Sequence, residues 1–146
     1  MLKLSKKADY GLIAVRHLAE RPPSLACSAK DIARAYGIPP ELLAKILQKL
    51  VKNGLLISQH GTNGGYVLAK PPSQITAFEV IRAIEGPLFI TSCVTDHREC
   101  GQMLKCTVRE PLRHVNETLV KALSAVTISS LRTDQSGLVQ IGGNFL

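Results

Sequence analysis

The sequence predicts a mainly α protein: a winged helix-turn-helix domain with a small β-hairpin wing, followed by a long C-terminal dimerisation helix. Three observations predict it. Two amphipathic helices meet at a tight turn containing Gly37, a glycine-rich hairpin, HGTNGG, follows them, and an apolar stripe of helical period runs from Leu112 to Val126. The composition agrees. Hydrophobic residues make up 45% of the 146, enough for a core; Trp is absent and aromatics are 4%, so that core must be aliphatic.

From Ser5 to about Glu20, apolar residues recur at Ala8, Leu12, Val15 and Leu18 with Ala19, which is helical spacing. Ser5 caps the start, and Arg21-Pro22-Pro23 stops the end. Pro22 to Cys27 reads as a loop. Ser28 with Asp31 starts a short second helix, SAKDIARAYGI, which Gly37 ends in a left-handed conformation. Pro39-Pro40 opens the third, PELLAKILQKLVKNG, because proline is tolerated in a first turn, and Asn53-Gly54 ends it. On this helix Leu43, Ile46, Leu47 and Leu50 share one face. Lys45, Lys49 and Lys52 fall within about 60° of each other on roughly the opposite face.

Strands over about Leu56–Gln59 and Tyr66–Ala69 flank HGTNGG, whose glycines permit the positive φ of a hairpin loop. Thr76 with Glu79 is a capping box for TAFEVIRAIEG, which ends at Gly86-Pro87. Residues 88–107 keep no period. Leu112, Val115, Leu119, Leu123 and Val126 then step by three and four in a helix from Glu110 to Val126, with Pro111 in its first turn. Thr127–Leu131 reads as an added turn of helix. Residues 132–146 are rich in Gly, Ser, Gln and Asn and read as a disordered tail. The expected organisation is a DNA-binding domain over 1–87, a metal-binding loop over 88–108, a dimerisation helix over 109–131 and a flexible tail over 132–146. The long helix lies beyond the compact part, so its stripe needs a partner, and a second copy of the chain is the simplest one.

The net charge of +7 lies wholly in residues 1–71, which hold eleven Lys/Arg and four Asp/Glu; the remainder is balanced. A basic half joined to a neutral half points to a polyanion-binding module with a separate function behind it. The lysine row lies on the helix that a helix-turn-helix inserts in the major groove. The residues expected at DNA are therefore Ser28 and Lys30, then Glu41, Leu42, Lys45, Gln48, Lys49 and Lys52. At the wing tip they are His60, Gly61, Thr62 and Asn63, placed to meet the minor groove or phosphates. No stretch is long enough to cross a membrane, and Arg16 and His17 interrupt the apolar run near the N-terminus, so a cytoplasmic protein is expected. Neither a phosphate-binding glycine loop, a nucleophile elbow nor a metalloprotease helix is present. His17, His60, His97 and His114 form no acid–base set, so an enzyme is not expected.

Cys93, Cys100 and Cys106 fall in a polar loop with Asp96, His97, Arg98, Glu99 and Gly101. Such a loop is a poor place to bury thiols and a good one to wrap a metal, because it can turn several sulfurs inward. Gaps of six and five intervening residues suit the span of an iron–sulfur cluster better than the close pairs of structural zinc sites; zinc and redox-active thiols remain open. Cys27 stands apart and reads as an ordinary thiol. A cluster carrier or electron-transfer protein would explain the cysteines but not the basic helix-turn-helix.

The order LSKKADYGL, a helix-turn-helix ending in NGLL, HGTNGGYVLAKP, ITAFEVIRAIEG and three spaced cysteines resembles the Rrf-two family of bacterial regulators. That family includes IscR, NsrR, RirA and regulators of SUF cluster-assembly operons. The resemblance runs in order over residues 1 to about 131, and the glycine-rich wing followed by the VIRAIEG helix is its most specific part. It implies a homodimer clasping palindromic DNA, with the long helix as seam. It implies also that Cys93, Cys100 and Cys106 hold a [2Fe–2S] or [4Fe–4S] cluster that senses iron, oxygen or nitric oxide. Three positions depart from relatives. Arg109 stands where IscR has a ligating histidine, Ala44 where IscR has a recognition-helix glutamate, and His60 where the family has a wing arginine. NsrR takes its fourth ligand from an N-terminal aspartate of the partner subunit, and Asp9 stands at the matching position; a first-turn acid favouring the helix dipole is the plainer role for Asp9. The SUF-type regulators are the subgroup most alike, which makes cluster assembly the expected controlled process.

Overall fold

The computed structural model describes residues 2–91, 100–102 and 104–131. Among them the chain forms α1 (Lys6–Ala19), α2 (Ala29–Tyr36), α3 (Pro40–Lys52), β1 (Leu56–Gln59), β2 (Gly65–Leu68), α4 (Ala77–Glu85) and α5 (Arg109–Ala125), with short 3₁₀ turns at Pro72–Gln74 and Ser129–Leu131. This is the mainly helical, winged architecture that the sequence predicts. Cys93, His97 and the expected tail 132–146 lie outside the described residues.

Local chemistry sets the helix ends. The Ser5 hydroxyl accepts the Ala8 N–H at 3.2 Å and donates to the Glu85 carboxylate, so one side chain joins the start of α1 to the end of α4. Ser28 Oγ accepts the Asp31 N–H at 3.1 Å. Gly37 ends α2 at φ 65°. Both halves of the Thr76–Glu79 capping box form, at 3.1 and 2.9 Å, and Lys70 joins the Glu79 carboxylate at 2.8 Å.

Leu43, Ile46, Leu47 and Leu50 are all buried, where α3 packs on α1, α2 and α4. The face of α1 is rotated from the expected one. Leu12 is only half-buried, while Gly11 and Ala14 join Ala8, Val15, Leu18 and Ala19 inside. A Cβ on Gly11 would lie 2.1 Å from Ile84 Cδ1, so a missing side chain lets α4 approach the α1 backbone. The expected stripe overlooked this because glycine carries no apolar signal.

Strands β1 and β2 pair antiparallel from Leu56↔Leu68 to Gln59↔Gly65. The wing reaches further: the Tyr66 N–H donates to the Cys27 carbonyl at 2.9 Å, and the Cys27 N–H to the Tyr66 carbonyl at 3.1 Å. This bridge fastens the wing to the doorstep of α2.

Helix α5 buries only Asn116 within the protomer, whose Oδ1 accepts the Ile90 N–H at 3.1 Å. Leu112, Leu119 and Leu123 are half-buried and Val115 is 47% exposed. The chain then returns to the domain. The Ala77 N–H donates to the Val126 carbonyl and the Ile128 N–H to the Ile75 carbonyl, each at 2.8 Å. Ile128 is fully buried in the same core as α1 to α4. The expected added turn forms at Ser129–Leu131, as a 3₁₀ turn, and the residues between α5 and it run as an extended strap.

Candidate nucleic-acid interface

A groove of about 610 Å³ opens between the start of α2, the outer face of α3 and the wing. Ser28, Gln48, Lys52, His60 and Gly61, separated by up to 33 positions in sequence, all line it. Three local devices hold its walls. Ser28 is fixed as the α2 cap, and its hydroxyl donates to Asp31 at 2.7 Å. Lys52 closes α3, where Asn53 Nδ2 donates to the Lys49 carbonyl at 2.8 Å. Gly65 has φ 153°, and a Cβ there would sit 2.4 Å from the Cys27 carbonyl oxygen, so only glycine lets the wing lie this close to α2.

Other expected contacts lie around this groove. Lys30, Glu41 and Lys45 are exposed. Thr62 and Asn63 are exposed at the wing tip, which the Gly64 N–H closes on the Gly61 carbonyl at 3.0 Å. Leu42 is half-buried and packs against the core. Lys49 shares the helical row of Lys45 and Lys52, but its ammonium donates to the Ile84 carbonyl of α4 at 3.1 Å. A cation at that helix end meets the negative end of the α4 dipole. Ser58, Gln59 and Tyr66 also line the groove and were missed from sequence. The signal for them was the pleat: Ser58 and Tyr66 are cross-strand partners beside the glycine turn.

Behind the groove Cys27 is 2% exposed. Burial pushes its thiol pKa up, against the pull of the Arg21 guanidinium, so it stays a neutral core thiol. Its Sγ lies 3.8 Å from His17 Nε2, and His17 Nδ1 lies 3.0 Å from the Tyr36 hydroxyl. Burial, reinforced by Arg21, lowers the His17 pKa, so this contact is made by the neutral ring.

In the cysteine loop, Cys100 is exposed, Cys106 is half-buried, and neither is in a disulfide. The Lys105 N–H donates to the Gln102 carbonyl at 2.9 Å, making a turn between them. Among the described residues no three His, Cys, Asp or Glu side chains converge on a metal-sized site. Two unpaired thiols on a polar turn are soft donors that fit thiolate-held iron or zinc. Asp9 is exposed in the first turn of α1, beside a cleft of about 440 Å³ shared with Leu12, Ile13, Arg16, Tyr36 and Leu131.

A family model described as Rrf2, iron-dependent transcriptional regulator, matches residues 4–134. The chain belongs to the Rrf2 family. Among solved structures it is similar to the global cysteine regulator CymR of B. subtilis, 30% identical with a TM-score of 0.71, covering 88% of this chain and 95% of that one. IscR of T. potens is 28% identical with a TM-score of 0.69, covering 88% of this chain and 84% of that one. A Mycobacterium tuberculosis protein named as an HTH-type transcriptional regulator is 39% identical over 87 residues. That match takes in 60% of this chain and 54% of the relative, so the chain spans about half the length of the curated relatives it matches. The Rrf2 family and these relatives are transcriptional regulators, not enzymes. Among the described residues no helix is long and apolar enough to cross a membrane.

Proposed function

We propose that this Rrf2 protein is a sequence-specific regulator, acting in the cytoplasm, that grips a palindromic DNA duplex as a homodimer. The observation that carries this reading is the groove in which Ser28, Gln48, Lys52, His60 and Gly61 meet. Helix α3 enters the major groove, with Lys45 and Lys52 on phosphates and Gln48 at a base edge. The wing tip, His60 to Asn63, lies along the adjacent backbone or minor groove. The α5 stripes of two copies cover one another.

We propose further that Cys93, Cys100 and Cys106 hold an iron–sulfur cluster, [2Fe–2S] or [4Fe–4S], with the partner subunit's Asp9 completing the set. The free state of the Cys100 and Cys106 thiols and the exposure of Asp9 support the donor assignment. When bound, such a cluster supplies a centre that gains or loses electrons and is lost to oxidants. Asp9 stands in α1, which packs against α3 and β2, so a carboxylate shared across the dimer ties the cluster loop to the DNA-binding face. Arg109 takes no part as ligand, since its guanidinium stays protonated and has no lone pair to give. Genes of cluster assembly of the SUF type are the proposed targets.

A second reading, regulation by thiol oxidation or by zinc, draws on the same two unpaired thiols and on the likeness to CymR, for which an oxidized form from Staphylococcus aureus has been solved, 25% identical to this chain. Anaerobic purification with iron and sulfide counts separates the readings. Iron and inorganic sulfide in matched amounts, lost in Cys106→Ala and labile in Asp9→Ala, are expected. Zinc without sulfide, or metal content unchanged in Cys93→Ala, Cys100→Ala and Cys106→Ala, overturns the cluster assignment.

A further inference from the structure

We propose that a second pocket, built where α1 ends against the wing, binds a small apolar carboxylate. The pocket holds about 520 Å³, within the range of roughly 300–1,000 Å³ typical of small-molecule sites. Leu18 and Val67, 5% and 8% exposed, come from α1 and β2. Pro22 and Pro23 wall one side, and Pro71 and Pro72 another. Proline fixes φ, so these walls are set before a ligand arrives and little ordering is required on binding. Leu25 adds an apolar wall that is 51% exposed. Covering that wall with a ligand removes apolar area from water, which favours binding.

The lining selects the sign of the ligand. Among the described residues its charged members are Arg21 and Lys70, and none of the lining is acidic. The Lys70 ammonium is engaged by Glu79 at 2.8 Å. Arg21, exposed just after α1, also hydrogen-bonds the Cys27 thiol, but its planar guanidinium carries five N–H donors and keeps donors for a carboxylate head group. The body of the ligand is aliphatic or aryl, to match the leucines and prolines. The site also adjoins the DNA-facing groove: β2 lends Val67 and Leu68 to the pocket, and Gly65 and Tyr66 to the groove. An occupant thus bears on the strand that sets the wing.

The test uses the full chain, free of DNA, so its outcome is independent of the DNA-binding reading. Octanoate is titrated while backbone amide shifts are followed by NMR, with octan-1-ol and inorganic phosphate as separate probes. Saturable shifts at Ala19, Leu25 and Leu68 are expected with octanoate. Arg21→Gln should weaken octanoate about tenfold, as the loss of a charge-assisted pair predicts, and leave octan-1-ol unchanged. Leu25→Asp should weaken both. Both positions are exposed, and a dispersed spectrum confirms that each variant folds. Absence of saturable shifts with octanoate to several millimolar overturns the proposal. So does octanoate affinity equal to wild type in both variants, or the same shifts produced by phosphate alone.

Discussion

At Gly65 a missing side chain holds two parts of the groove together. An added Cβ would meet the Cys27 carbonyl oxygen at 2.4 Å and its carbon at 2.5 Å, at a φ of 153° that L side chains rarely adopt. Backbone has little room to yield, so Gly65→Ala should cost about 1–3 kcal/mol in denaturant titrations and weaken DNA binding as the wing moves off α2. An unchanged unfolding midpoint would contradict this. The lysines of α3 offer a sharper contrast. Lys49→Ala removes a hydrogen bond to the α4 end, so it should cost about 1 kcal/mol of stability and leave the salt dependence of DNA binding unaltered. Lys52→Ala should do the reverse, lowering the slope of log affinity against log salt by roughly 0.9. Equal slopes for the two variants would remove the distinction. From sequence, Lys45, Lys49 and Lys52 form one row, because helical periodicity sees only their own helix. Which of them is diverted depends on where the C-terminus of α4 lies, a contact 35 positions away.

Elements bounded by their own chemistry were the most legible. The Thr76–Glu79 box, the Ser28 cap and the Gly37 stop are local, and each forms where expected. The Glu79 carboxylate has a pH signature. Burial works to raise its pKa, but hydrogen bonds from Lys70 and Thr76 outweigh that and leave it below the ordinary 4.5. A depressed carboxylate contributes stability in full above its unfolded value, and the contribution fades as pH falls through the folded one. Glu79→Gln should therefore destabilise at neutral pH, with the deficit shrinking below pH 4.5 in paired denaturant titrations. A deficit that grows on acidification would reverse the assignment. The strap after α5 was illegible. Ile128 stands between Thr127 and Ser129 and falls outside the three-and-four stepping of the α5 stripe, yet it is fully buried against the winged-helix core. Its removal by Ile128→Ala should cost about 2–4 kcal/mol, as deletion of a buried aliphatic does. A cost of a few tenths would mean that the strap is not part of the core.

For the molecule as a whole, the groove and the half-covered α5 stripe pose one question: whether two copies read one symmetric site. The stripe is half-buried at Leu112, Leu119 and Leu123, and Val108, just before the helix, is 54% exposed. Leu119→Lys places a charge in the proposed seam and should yield monomers in sedimentation where wild type sediments as a dimer; wild-type monomers at tens of micromolar would count against the seam. The mainly helical winged architecture was legible because it is written in periodicity, caps and glycines. The proposed cluster ligands were legible only as donor types and spacing, because the placing of side chains on a loop has no periodic trace. The most direct measurement is selection from a random duplex library by anaerobically purified protein, with metal-free protein alongside, read by sequencing. The account predicts enrichment of a two-fold symmetric sequence, its strength dependent on the cluster. Failure of both forms to enrich any sequence would contradict the regulator reading, and equal enrichment by the two would contradict cluster control.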